Sequence, residues 1–82
     1  MNVSSVIVNA RVGHSLAVQE ALQQQAGIEI HAASPEGKLI VTIETESDRD
    51  TIAAYERIGQ TEGVLSAAMV YHQIESEPDK EI

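Results

Sequence analysis

Apolar residues return every second position in four stretches of this chain and every third or fourth in two others, so the pattern predicts four strands and two helices. In Val3 to Ala10 the β-branched run Val6-Ile7-Val8 is flanked by Ser4, Ser5 and Asn9, which reads as a strand. Val6, Val8 and Ala10 fall on one side and Ser5, Ile7 and Asn9 on the other. After the connection Arg11 to Gly13, residues 14–25 are good helix formers, with apolar rows Val18/Leu22 and Ala17/Ala21, and Gly27 ends that segment. Ile28-Glu29-Ile30-His31-Ala32 alternates again, predicting a second strand with Ile28, Ile30 and Ala32 buried and Glu29 and His31 exposed.

Ser34-Pro35-Glu36-Gly37 carries the chemistry of a tight turn, so the second and third strands form a hairpin. From Lys38 to Glu46, Leu39, Val41 and Ile43 point one way while Lys38, Ile40, Thr42 and Glu44 point the other. Ser47 or Asp48 can cap the helix that follows, residues 48–60, whose expected apolar stripe is Ile52, Tyr55 and Ile58. The last strand runs from about Gly63 to Gln73. Its alternation sets Ala67, Met69 and Tyr71 on one face and Ala68, Val70 and His72 on the other, and neither face is simply polar.

The order strand, helix, strand, strand, helix, strand is that of the split βαβ arrangement. A shift of 36 positions matches Leu16 with Ile52, Leu22 with Ile58, Gln24 with Gln60, Gly27 with Gly63 and Ile28 with Val64, the mark of a weak internal duplication. The expected fold is therefore α+β and ferredoxin-like: a four-stranded antiparallel sheet with strands two and four outermost and both helices on one face. That domain spans residues 1–74, followed at 75–82 by an acidic tail expected to be disordered. The uncovered face then carries an apolar middle of Ile7, Ile40, Ala68 and Val70, with the carboxylates of Glu29 and Glu44 at its rim and His31 and His72 beside them. An exposed apolar patch of that kind marks contact with something else.

Composition narrows what that something is. At 82 residues the chain is one domain, too small for a core and a deep substrate cleft together. It has no Phe, Trp or Cys, so the core is aliphatic, and thiolate metal sites, thiol catalysis and disulfides are excluded. Thirteen acidic side chains against five basic ones argue against nucleic acid and anionic membrane surfaces and favour a basic partner. Nothing at the N-terminus reads as a targeting signal, and no stretch approaches the roughly 20 apolar residues of a membrane span. His14, His31 and His72 lie on separate elements without metal-ligand spacing, no Gly-rich phosphate loop follows a strand, and no serine sits in a nucleophile motif. Neither a metal, a cofactor nor catalysis is expected.

Gly63-Val64-Leu65 followed by Val70-Tyr71-His72-Gln73, together with Gly37, Leu39-Ile40-Val41 and Glu44, resemble the NapD family of chaperones of periplasmic nitrate reductase. Element order and length agree along nearly the whole chain. Ala26 departs from the Pro expected before the Gly of that turn. The resemblance implies a cytoplasmic chaperone, not an enzyme, that binds the twin-arginine signal peptide of the reductase catalytic subunit and holds the precursor back from the Tat translocase until its molybdenum cofactor is inserted. A twin-arginine peptide has a basic region followed by an apolar segment, which an apolar face with an acidic rim complements. The expected peptide-binding set is thus Ile7, Asn9, Glu29, Ile40, Thr42, Glu44, Ala68, Val70 and His72, with Glu44 and Glu29 pairing the arginines. A monomer is expected, with self-association through the same face as the alternative. The rival from another class is a dimeric small-molecule sensor of the ACT type, which shares the fold but tends to carry more glycine after the first strand than Arg11-Val12-Gly13-His14 does.

Overall fold

The first strand, β1 (Asn2–Ala10), alternates without a break: Asn2, Ser4, Val6, Val8 and Ala10 are buried and the residues between them are partly exposed. The computed structural model describes residues 1–74, the last four of them as backbone alone, so the expected tail at 75–82 lies outside the described residues. After β1 come α1 (Ser15–Gln23), β2 (Ile28–Ala33), β3 (Lys38–Thr45), α2 (Asp48–Gln60) and β4 (Val64–Ile74). The sheet order is β2-β3-β1-β4 with every neighbouring pair antiparallel, the topology that the sequence pattern predicts.

Burial shows which face the helices cover. Val6 and Val8 of β1 and Leu39, Val41 and Ile43 of β3 are fully buried together with Val18 and Leu22 of α1 and Ala54 and Ile58 of α2. Both helices therefore pack on one side of the sheet, and the aliphatic core lies in that single layer. At roughly 25 cal/mol per Å² of apolar surface removed from water, each of those large side chains contributes about 1.5 to 3 kcal/mol. The Ser47 hydroxyl accepts from the Asp50 N–H, and Asp48 and Asp50 in the first turn meet the positive end of the α2 dipole. α1 is shorter than its helix-forming residues suggest: His14 is its N-cap, its carbonyl accepting from the Val18 N–H at 2.9 Å, and the helix closes in a tighter turn in which the Gln25 N–H donates to the Leu22 carbonyl at 3.0 Å.

The internal duplication is visible in space. Leu22 and Ile58 are both fully buried, Gly27 and Gly63 both have positive φ, and the Gln25 amide donates to the Thr61 hydroxyl, 36 positions on, at 3.2 Å. Leu16 and Ile52 correspond too, but both are exposed, at 76% and 58%. Ile52 is thus not part of the buried stripe of α2, which consists of Thr51, Ala54 and Ile58, with Tyr55 partly buried and its hydroxyl donating to the Ala67 carbonyl at 2.8 Å.

Two bulges overturn parts of the expected strand phase. In β2, Ile30 pairs with Val41 but Ala32 pairs with Ile40, leaving His31 as an extra residue. Ala32 is consequently exposed on the uncovered face and is not a core residue. In β4, Met69 pairs with Val6 and Tyr71 with Ser5, so Val70 is the extra residue. Beyond it the phase is reversed: Tyr71 takes a register position in the uncovered row, while His72 is set opposite Ser4, in the row of β1 that faces the helices. The expected grouping of His72 with Ala68 and Val70 fails for that reason. Alternation assigns faces correctly only while every residue pairs, and one inserted residue exchanges them.

Candidate functional site

The uncovered face is built from cross-strand rows, because residues opposite each other on neighbouring antiparallel strands share a face. The central row is Ala32, Ile40, Ile7 and Ala68, one residue from each strand in sheet order. It is apolar throughout, and Ile40 keeps 44% of its surface exposed. The next row on one side is Glu29, Thr42, Ser5 and the backbone position of Tyr71. Beyond that lies Glu44 opposite Val3. On the other side of the central row stand Lys38, Asn9 and Ser66, with the Asn9 amide donating to the Ser66 hydroxyl at 3.1 Å.

Of the nine expected residues, Ile7, Ile40 and Ala68 come together in the central row. Thr42 and Glu29 share the adjoining row, Asn9 lies in the row beyond, and Val70 is exposed at the β4 bulge. Glu44 stands at the end of β3, and His72 alone is out of phase with the rest. Ala32 belongs to the face although its spacing from Ile28 and Ile30 points to the core. His31 also joins it: its Nε2 lies 2.8 Å from the Thr42 hydroxyl and 3.4 Å from Glu29 Oε1. Nothing in Glu29-Ile30-His31-Ala32 announces a bulge, so spacing could not have found Ala32.

Gly27 positions the acidic end. With φ at +79° it lets the chain turn from α1 into β2, and its carbonyl accepts from the Glu44 N–H at 2.8 Å. Gly27, Ile28, Glu29 and Glu44 together line an open cleft of about 240 Å³. A neighbouring cleft of about 320 Å³ is lined by Glu44, Glu46, Asp50 and Arg57 among others. Exposed carboxylates set around a cleft can accept two parallel N–H bonds from a guanidinium, and the apolar row one residue pair further along can cover aliphatic or aromatic side chains. Among the described residues there is no group of three or more His, Cys, Asp or Glu that could hold a metal, and no helix long and apolar enough to cross a membrane.

Residues 1–76 match the family model described as NapD protein. The proteins named Chaperone NapD from Escherichia coli strain K12 and from Shigella flexneri are each 32% identical to this chain over 79 residues, which is 95% of this chain and 91% of theirs. The solution structure of the E. coli Tat proofreading chaperone protein NapD superposes with a TM-score of 0.81 at 33% sequence identity, covering 92% of this chain and 80% of that one.

Proposed function

The chain belongs to the NapD family, and from that premise we propose that it is a chaperone that binds the twin-arginine signal peptide of a periplasmic nitrate reductase precursor. Binding in the cytoplasm would keep the precursor from export until its molybdenum cofactor is in place. It is a binding protein and not an enzyme. The observation that carries the peptide-binding reading is the uncovered sheet face, where an apolar row of Ala32, Ile40, Ile7 and Ala68 adjoins the row that carries Glu29, with Glu44 one row further along. The apolar row takes the apolar segment of the peptide and the carboxylates take its arginines. The small-molecule-sensor alternative has no support from relatives whose names are those of chaperones.

Charge pairs and apolar contact respond differently to salt, which sets the test. Calorimetric titration with the signal peptide at low and high salt is expected to show binding that weakens with salt yet persists, since the Debye length falls from about 30 Å at 0.01 M to about 3 Å at 1 M while apolar burial is unscreened. Absence of heat at both salt concentrations, with circular dichroism showing a folded protein, would refute the assignment. Size-exclusion chromatography with light scattering across the same peptide range checks the expected monomer.

A further inference from the structure

The uncovered face is graded along the strands, and the grading gives it a direction. On the face itself the carboxylates Glu29 and Glu44 stand at one end and Lys38 at the other, with the apolar row of Ile40 and Ile7 between them. At ~3.3 Å per residue, Ile40 lies ~13 Å and Lys38 ~20 Å from Glu44 along β3. Beyond Glu44 the chain continues with Glu46, Asp48 and Asp50, countered by Arg49 and Arg57, so the acidic character extends past the face. At the far end Arg11 joins Lys38, countered by Glu36 and Glu62, which leaves no acidic excess there.

A separation of ~20 Å exceeds the Debye length of about 8 Å at physiological salt, so a bound peptide senses the two ends separately. We propose that the signal peptide crosses this face in one direction only, with its arginines over the Glu29–Glu44 end and its apolar segment running past Ile40 and Ile7 toward Lys38. This rests on the peptide-binding reading above. The reverse orientation sets arginines beside Lys38 and lays apolar side chains over two carboxylates, which loses the opposite-charge pairs with the peptide and removes water from carboxylates that no arginine then meets. The peptide therefore runs N to C in the direction of β1 and β2, whose chains both lead from the acidic end to the Lys38 end.

The test uses the full chain, isotope-labelled, with two versions of the peptide carrying a nitroxide spin label either before the arginines or after the apolar segment. The N-terminal label is expected to erase amide signals of Glu29, Thr42 and Glu44 and to spare Lys38, Asn9 and Ser66. The C-terminal label is expected to do the opposite. Exchanged patterns, or equal losses at both ends from each label, overturn the direction while leaving the face as the binding site. Binding without signal loss anywhere on these rows, or no binding at all, overturns the peptide-binding reading and the direction with it.

Discussion

Replacing Gly27 with Ala tests how the acidic end of the site is held. An added Cβ would lie 2.5 Å from the Glu44 carbonyl oxygen, whereas ordinary contact begins near 3.4 Å, so the two backbones must separate by about 0.9 Å, the difference of those distances. The obstacle is main chain, and it cannot rotate aside as a side chain would. That movement strains the bond from Glu44 N–H to Gly27 carbonyl, which contributes about 1 kcal/mol. The positive φ adds about 1 to 2 kcal/mol for any residue with a Cβ, partly offset by about 0.4 to 1 kcal/mol from a less flexible unfolded chain. With the steric displacement included, the expected loss is about 2 to 4 kcal/mol, a large part of the ~4 to 12 kcal/mol typical for a domain of this length. Gly13→Ala is the control, since Gly13 has nearly the same φ of +82° and nothing within 4 Å. Urea unfolding of both variants isolates the contact from the backbone strain. Gly27→Ala is expected to be the less stable by at least about 1 kcal/mol, and equal stabilities would refute the close approach of Gly27 to Glu44.

The alternation of β3 separates binding from folding at adjacent positions. Ile40→Glu, on the uncovered face, is expected to keep a native circular dichroism spectrum and lose peptide binding, whereas Val41→Glu buries an unpaired charge at a fully inaccessible site and is expected to unfold the domain. A double-mutant cycle of Glu44→Gln against each peptide Arg→Gln is expected to show coupling above about 1 kcal/mol with one arginine, more than an exposed pair supplies; coupling near zero with both removes Glu44 from the site. Ser47→Ala removes the hydroxyl that accepts from Asp50 N–H and is expected to lower stability by about 1 kcal/mol in thermal or urea unfolding without changing peptide affinity at the opposite face.

How far alternation carries is seen by comparing β3 with its neighbours. In β3 every residue from Lys38 to Thr45 pairs with β1, so the buried set Leu39, Val41 and Ile43 and the outward set Ile40, Thr42 and Glu44 follow from spacing alone. The same holds for β1 and for the capped start of α2 at Ser47. The element order, the sheet topology, the single helix-covered face and most of the apolar row were therefore determined by local pattern, because period and capping chemistry act within a few residues of the chain. Where a residue is inserted against its partner strand, local pattern has no access to the outcome. His31 and Val70 look like ordinary members of β2 and β4, yet each is an extra residue, and the consequence is that Ala32 joins the site and His72 leaves the row expected for it. The alternating sequence determined which residues could face the sheet surfaces; the register between strands, a property of paired backbones and not of either strand alone, decided which of them do.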